Sequence, residues 1–193
     1  GLATAIAAKQ HGLDCVVVEK GILVNSIFNF PVHMVFFTTP ELLEIGRLPL
    51  TTPFDKPTRL EALRYYRRVV DTYELPISFH EEVISIEAPS PEGAASQGPN
   101  PGGADRARAP EIEERGEVGS LGEGVFVVTT KGRRGTTRVR QARAVVLAIG
   151  YYDLPNYLGI PGEDLPHVSH YYTDAHPYYR QRVVVVGGKN SAA

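Results

Sequence analysis

A run of four valines followed by two glycines, near the C-terminal end, constrains the fold of this chain more than any other feature. Residues 182–192 read R-V-V-V-V-G-G-K-N-S-A. Consecutive valines indicate a strand buried on both faces, and the glycines after them indicate a tight turn into a helix. This pattern begins a mononucleotide-binding βαβ unit, in which a helix N-terminus and free backbone N–H groups bind a pyrophosphate. The residues predicted to contact that nucleotide are Gly187, Gly188, Lys189, Asn190, Ser191 and Ala192.

The N-terminal residues match the second part of another such unit. Residues 1–12, G-L-A-T-A-I-A-A-K-Q-H-G, predict a helix that packs closely on a sheet and is followed by Gly12 after its C-cap. Residues 14–19, D-C-V-V-V-E, predict a buried parallel strand that ends in a carboxylate. Glu19 lies 18 residues after Gly1, close to the spacing of about 20 at which an acid binds a ribose hydroxyl. We interpret Gly1 as the third glycine of a G-x-G-x-x-G motif whose first five residues are missing.

A loop rich in Asn, Phe and Pro follows this strand over residues 21–39. It contains six side chains suited to line a flat aromatic ligand, namely Asn25, Ser26, His33, Met34, Phe36 and Phe37. A flavin ring needs apolar contact and a few aimed polar groups, which this composition offers. The alternative is a hydrophobic loop that covers the sheet, and from the residues alone that alternative is favoured.

The next residues predict a helix and a strand. The helix opens at K-P-T-R-L-E and runs over residues 56–73. Its apolar positions recur every three or four residues and predict a packed face of Leu60, Leu63, Tyr66, Val70 and Tyr73. Its basic residues predict a solvated face of Arg64, Arg67 and Arg68. The alternating pattern of residues 76–88 predicts one strand.

Residues 88–122 change character and are rich in Pro, Gly, Ala and Glu. Their few large apolar side chains cannot offset the entropy of ordering the segment, so we expect a disordered insertion within a hairpin. A tolerated surface loop is favoured over a regulatory segment. Beyond it, residues 124–130 and 138–140 flank the turn K-G-R-R-G and predict the two strands of a hairpin.

The apolar run A-R-A-V-V-L-A-I-G at residues 142–150 predicts another buried strand, ending in Gly150. The prolines and glycines of residues 151–162 suit an interdomain connection. A histidine-rich stretch follows at residues 167–179, but it has neither a recognised zinc spacing nor a nucleophile elbow. We therefore predict no metal site there and expect an aromatic surface near a hinge.

Composition restricts the possible functions of the chain less than these motifs do. The chain has 193 residues, 42% of them hydrophobic, and a net charge of −2, so nothing suggests a nucleic-acid partner. It has no apolar run of roughly 18 residues and no cleavable leader, and we expect no membrane partner. The single cysteine, Cys15, excludes an intrachain disulfide and fits a reducing cytoplasm. Its apolar neighbours predict a buried core thiol.

Four stretches together carry a specific resemblance. They are E-K-G-I-L-V-N-S-I-F-N-F-P, K-P-T-R-L-E-A-L-R-Y-Y-R-R-V, A-I-G-Y-Y-D-L-P-N-Y-L-G-I-P-G-E-D-L and V-V-V-V-G-G-K-N-S-A. They resemble the YpdA family of bacillithiol disulfide reductases, which are built like thioredoxin reductase. The resemblance covers nearly the whole chain except residues 88–122. It implies an α/β flavoprotein with two dinucleotide-binding domains.

This resemblance implies a domain plan. A Rossmann-like FAD-binding domain lacking its first strand would occupy residues 1–152, and an interdomain connection residues 153–180. The start of an inserted NAD(P)-binding domain would occupy residues 181–193. The implied FAD contacts are Gly1, Glu19, Lys20, Asn25, Ser26, His33, Val83 and Gly150. Two positions depart from the usual pattern, since Ile149 stands where Thr is usual and Lys189 where a third glycine often lies.

The resemblance implies an oxidoreductase that uses FAD and NADPH to reduce a small-molecule disulfide such as bacillithiol disulfide. It also implies a cytoplasmic homo-oligomer. The catalytic residues stay unassigned, because the chain has no C-x-x-C pair and family members carry a cysteine just before the position of Gly1. Two alternatives stay open. One is another flavin-dependent NAD(P)H oxidoreductase or monooxygenase, and the other is an inactive fragment of such a protein.

Overall fold

The computed structural model describes residues 1–89 and 124–188. The chain divides into two compact units, one formed by Gly1–Glu81 with the segment from Leu147 onward, the other by Glu82–Val146. Most of the predicted insertion lies outside the described residues, as do the nucleotide-binding candidates Lys189, Asn190, Ser191 and Ala192.

In the first unit, helix α1 spans Leu2–Gln10 and strand β1 spans Val17–Glu19. Gly12 follows the C-cap residue with φ +68°, a left-handed conformation that glycine adopts without strain. β1 pairs in parallel with β2, Ile77–Phe79, so that Glu19 lies opposite Phe79. The predicted helix and parallel strand are confirmed, although the strand is shorter than residues 14–19.

Two further α-helices and two short 3₁₀ helices, Pro40–Leu42 and His176–Tyr178, belong to the described part of this unit. α2 is a short helix, Asn25–Phe28, inside the predicted loop. α3 spans Arg59–Tyr73 and begins with a capping box, in which Thr58 Oγ1 accepts a 3.3 Å hydrogen bond from the Glu61 N–H. In return, the Thr58 N–H donates to Glu61 Oε2 at 2.7 Å. These reciprocal bonds fix the start of α3 at Arg59, three residues after the predicted start at Lys56.

The hydrophobic core lies between α1, α3 and the strand pair. Its most buried members are Ala5, Ile6, Leu50, Tyr65, Val69 and Leu75. Tyrosine hydroxyls of α3 join the preceding loop to this core, because the Tyr65 hydroxyl donates to Leu48 O at 2.8 Å and that of Tyr66 to Leu43 O at 3.0 Å. Buried tyrosines therefore give the loop carbonyls the donors they need.

The packed face of α3 agrees with the predicted one only in part, because Tyr66, Val70 and Tyr73 pack against the core as predicted. Ala62, Tyr65 and Val69 are the buried residues, whereas Leu60 is 49% exposed. The two faces differ because Tyr65 packs its ring in the core and reaches loop carbonyls with its hydroxyl, which a count of apolar residues does not register. The predicted solvated face is confirmed, since Arg64, Arg67 and Arg68 are all exposed.

The predicted strand over residues 76–88 is wrong as one element. It is divided into β2 and β3, and these belong to different sheets. β3 spans Glu81–Glu87, and His80 between them has φ +56°. A left-handed residue turns the chain out of the extended conformation, so pairing cannot continue across it.

The second unit is a three-stranded sheet with the order β3-β4-β5. β4, Phe126–Gly132, and β5, Thr137–Ala142, are antiparallel, with Phe126 opposite Ala142. Gly135 occupies the turn with φ +77°. The predicted hairpin is confirmed.

The two other predicted buried strands are wrong. Residues 142–150 and 182–186 enter neither sheet of the described residues beyond the last residue of β5. Ile149 is 82% exposed and Val184 is 85% exposed. A strand buried on both faces needs hydrogen-bonded neighbours and covering layers, and no described strand lies beside either run. No helix among the described residues is both long and apolar enough to cross a bilayer.

Candidate nucleotide-binding site

The start of α1 meets two other segments of the first unit. The Ala5 N–H makes the first intrahelical bond, 3.0 Å to Gly1 O, so the preceding N–H groups have no intrahelical acceptor. A Cβ added at Gly1 would lie 3.9 Å from both Val17 Cγ1 and Ala148 Cβ. The helix N-terminus therefore lies beside the first residue of β1 and beside the A-I-G motif.

Glu19 closes β1 with a carboxylate held by the following turn. It is half-buried, and its Oε1 accepts a 2.7 Å hydrogen bond from the Gly21 N–H. An ionised carboxylate has about four lone-pair sites, so this one bond leaves the capacity to accept from a ribose hydroxyl. The sequence-predicted ribose ligand thus has a fixed orientation at the carboxyl end of a parallel strand.

Gly21 allows α2 to begin against this turn. A Cβ at Gly21 would lie 2.6 Å from Asn25 Oδ1 and 2.8 Å from Asn25 Cγ. The Gly21 carbonyl accepts from the His80 N–H at 3.3 Å, which joins the turn to the end of β2. This close approach brings the Asn25 side chain to the turn that holds Glu19. Ser26 follows Asn25 in the first turn of α2, and both are half-buried.

The loop after α2 contacts the predicted interdomain connection. The Tyr152 hydroxyl donates to Asn29 O at 3.0 Å, and the rings of Phe30 and Tyr152 make an edge contact with centroids 4.9 Å apart. Further along, the Val32 N–H donates to Thr173 O at 2.9 Å. Tyr152 and Thr173 therefore join this segment to the loop, and burial raises the pKa of Tyr152 above its usual value.

His33, predicted to face the flavin, has a side chain that is 90% exposed. Its Nε2 lies 3.7 Å from Asp174 Oδ2. Among the described residues, this histidine therefore lies where the loop contacts the connection.

A carboxylate also organises the connection itself. Glu163 accepts backbone N–H groups from Leu158 at 2.9 Å and Gly159 at 2.7 Å, and its Oε1 lies 3.0 Å from His170 Nε2. The His170 hydrogen bond, followed by the Leu158 N–H, lowers the pKa of Glu163 from 4.5 to about 2. His170 thus has a carboxylate partner, and the described residues hold no cluster of three or more metal-binding side chains.

A comparison with known proteins identifies the family of this chain. A family model described as pyridine nucleotide-disulphide oxidoreductase matches residues 1–93 and 112–193. The chain belongs to this family. The family implies an α/β flavoprotein, an oxidoreductase-like enzyme, and a flavin and a nicotinamide cofactor.

Within this family, the chain is similar to particular reductases of known sequence or structure. The chain is 38% identical over 192 residues to the bacilliredoxin reductase Bdr of Bacillus subtilis strain 168, covering 100% of this chain and 48% of that protein. The solved bacillithiol disulfide reductase Bdr (YpdA) of Bacillus cereus matches with a TM-score of 0.79 and 37% identity, over 99% of this chain and 49% of the other. The Staphylococcus aureus counterpart has a TM-score of 0.75 and 35% identity, over 99% and 47%.

The chain therefore spans about half the length of these relatives. Their names confirm the resemblance to YpdA that the sequence carries. The contacts around Gly1 and Glu19 fit the adenosine and phosphate portion of a dinucleotide, because a helix N-terminus and an oriented carboxylate lie beside the same parallel strand.

The other candidate residues lie in different parts of the chain. Lys20 is exposed in the turn after Glu19. Val83 lies in β3 of the second unit and is 40% exposed. Gly150 has φ +66° with open space where a Cβ would be, and Gly187 has φ +131°. Gly188 is exposed and likewise has open space at its Cβ position.

Cys15 is half-buried against the core, with Sγ 3.9 Å from Ala5 O, which agrees with the predicted core thiol.

Sequence reasoning missed Gly21. It has a signal, namely a glycine two positions after an acid that ends a strand.

Proposed function

We propose that this protein is an FAD-dependent oxidoreductase that takes electrons from NADPH and reduces a low-molecular-weight disulfide such as bacillithiol disulfide. The observation that carries the proposal is the geometry of Gly1 and Glu19 in a chain 37–38% identical to proteins named as bacillithiol or bacilliredoxin reductases. When bound, the flavin and the nicotinamide supply the hydride-transfer chemistry, while the protein binds and orients them.

The first unit would hold the FAD. The N–H groups at the start of α1 would bind its phosphates, and Glu19 would accept from the ribose. Lys20, Asn25, Ser26 and His33 belong to the turn, helix and loop that follow Glu19, so they would surround the flavin end. Val83 would approach the adenine through its backbone, and Gly150 would allow a close backbone approach to the flavin.

Residues 187–192 would hold NADPH as the first turn of the second nucleotide-binding domain. This assigns residues 1–152 to the FAD domain, 153–180 to the connection and 181–193 to the start of the NAD(P) domain. Cys15 packs on the core, so it is unsuited to attack a disulfide. The catalytic residues therefore stay unassigned, and we also propose a cytoplasmic location and assembly into a homo-oligomer.

Glu19 offers a direct test with a matched control in Glu44. Both are half-buried glutamates that accept one backbone N–H, Glu19 from Gly21 at 2.7 Å and Glu44 from Leu50 at 2.9 Å. Losing a hydrogen bond to a charged group costs about 1.5–3 kcal/mol, so Glu19→Gln should raise the FAD dissociation constant roughly tenfold to a hundredfold. Glu44→Gln should leave that constant unchanged.

FAD binding is measured by fluorescence quenching on the protein expressed at the full length of its gene and on the 193-residue chain. Equal FAD affinity of the two variants would remove Glu19 from the site. Turnover with NADPH and bacillithiol disulfide, against a dialkyl sulfide and an amine as monooxygenase substrates, tests the acceptor. NADPH oxidation that depends on the disulfide supports the reductase, and oxygenated product without disulfide reduction contradicts it.

A further inference from the structure

Arg59 is placed where its charge is unfavourable for its own helix. It is the first residue of α3, and the positive end of the helix dipole lies there. The capping box of Thr58 and Glu61 already satisfies the start of α3. The start of α3 therefore gives no reason for an arginine at this position, and its side chain contacts another element.

The guanidinium group binds the C-terminal end of α2. Arg59 Nε donates to Ile27 O at 3.1 Å, and Nη2 donates to Phe28 O. The guanidinium carbon lies 5.3 Å from the centroid of the Phe28 ring. A cation at the carbonyl end of a helix is favourable, and a planar fork can donate to two successive carbonyls while stacking on a ring.

The backbone of the same residue holds the other end of the loop. The Arg59 N–H donates to Met34 O at 2.9 Å. Next to it, Val35 and Thr58 form an antiparallel bridge, and the Phe36 N–H donates to Pro57 O at 2.9 Å. One residue therefore ties residues 27–28 and residue 34 together and closes the loop between them.

The elements closed in this way carry the proposed flavin contacts. Asn25 and Ser26 form the first turn of α2, and His33 precedes the residue bonded to the Arg59 N–H. We infer that Arg59 is a positioning residue for the flavin, because it sets the distance and angle between α2 and the loop at residues 29–34. The inference rests on the proposed function, since it names the residue that shapes the same site.

Arg68 provides a matched control on the same helix. Its Nη2 also donates to a backbone carbonyl, that of Pro49, and its guanidinium carbon lies 5.9 Å from the centroid of the Tyr65 ring. Like Arg59 it pairs a carbonyl with a ring, but it supports the loop before α3, and among the described residues no hydrogen bond or ring contact joins it to α2. Replacing each arginine by lysine keeps the charge and removes the planar fork.

The test compares the wild-type protein with Arg59→Lys and Arg68→Lys, each at the full length of its gene. We expect Arg59→Lys to raise the FAD dissociation constant at least tenfold and to shift the visible circular dichroism of the bound flavin. We expect Arg68→Lys to stay within twofold of the wild type and to keep its spectrum. Far-ultraviolet circular dichroism checks that both variants keep their helices.

A second variant keeps the inference testable if Arg59→Lys does not fold. Phe28→Leu leaves the carbonyl bonds in place and removes only the ring under the guanidinium, so we expect a twofold to fivefold loss of FAD affinity. A wild-type protein without flavin overturns the proposed function. Two results would overturn the positioning role alone, provided that the wild type binds flavin. One is an equal FAD affinity of Arg59→Lys and Arg68→Lys, and the other is an FAD affinity of Phe28→Leu equal to that of the wild type.

Discussion

Two valine-rich segments of this chain have similar composition and different structures. β1 is the end of D-C-V-V-V-E, and it pairs in parallel with β2 while packing on the core beneath α1. Residues 183–186 are four valines that are 54–85% exposed and enter neither described sheet. An apolar run therefore forms a strand only where a neighbouring strand and a covering helix are in place, because backbone N–H and C=O groups need hydrogen-bond partners.

The sharpest way to test this comparison uses one residue type in both regions. Ile6 in α1 is 2% exposed and Ile149 is 82% exposed. Removing a buried isoleucine costs about 2–5 kcal/mol, whereas an exposed substitution stays within about 0.5 kcal/mol. We expect Ile6→Ala to lower the free energy of unfolding of the 193-residue chain by about 2–5 kcal/mol. Ile149→Ala should lower it by no more than about 0.5 kcal/mol. Urea denaturation measures both, and equal losses would contradict the contrast.

Two glycines separate packing from backbone strain. Gly46 and Gly150 both have φ +66°. A Cβ at Gly46 would lie 2.8 Å from Tyr73 Cε2 and 2.9 Å from Ile6 Cδ1, whereas a Cβ at Gly150 meets nothing within 4 Å. Both alanines suffer about 1–2 kcal/mol of left-handed strain, and overpacking adds about 1–3 kcal/mol at Gly46 only. Thermal unfolding of Gly46→Ala and Gly150→Ala should show this difference. A larger loss at Gly150 would mean that its surroundings are packed.

The start of α3 allows a smaller test. Its N-cap Thr58 has a side-chain bond to Glu61, whereas α1 begins at Gly1 without a side-chain cap. Replacing a threonine cap by alanine costs about 1 kcal/mol. We expect Thr58→Ala to lower the free energy of unfolding by that amount and Thr58→Ser to restore most of it. Chemical denaturation gives the values, and no loss in Thr58→Ala would show that the capping box is dispensable.

The smallest expected effect is the pH dependence of the connection. The pKa of Glu163 lies at about 2 in the folded chain, below its ordinary 4.5, so its ionised form stabilises the fold above about pH 4.5. This contribution is lost as the pH falls toward 2. Glu163→Gln should reduce the loss of unfolding free energy between pH 4.5 and pH 2, and His170→Gln should reduce it in part. An unaltered loss over this pH range in both variants would exclude this ion pair from the stability of the connection.

Local signals predict much of the fold. The opening K-P-T-R-L-E and the apolar repeat predict α3, and Gly12 predicts the end of α1. Turn residues around Gly135 predict the β4–β5 hairpin. Each of these features depends on residues close in sequence, so a window of the chain contains the information.

Long-range features were not predictable in this way. The division of residues 76–88 depends on a left-handed histidine at position 80, which composition does not reveal. The exposure of residues 183–186 depends on which strands lie beside them. At the candidate site, spacing predicted Gly1 and Glu19, but the bonds from Arg59 to Ile27 and Phe28 join positions about thirty residues apart. Only the folded chain brings such pairs together.

The most direct test of the central claim is the visible absorption spectrum of the protein, expressed at the full length of its gene and titrated anaerobically with NADPH. The proposal predicts a bound-flavin spectrum that bleaches as NADPH is added and returns when bacillithiol disulfide is supplied. A protein that binds no flavin, even with FAD added during refolding, would contradict the dinucleotide assignment of Gly1 and Glu19. A flavin that bleaches but does not recover with the disulfide would retain the cofactor and contradict the proposed acceptor.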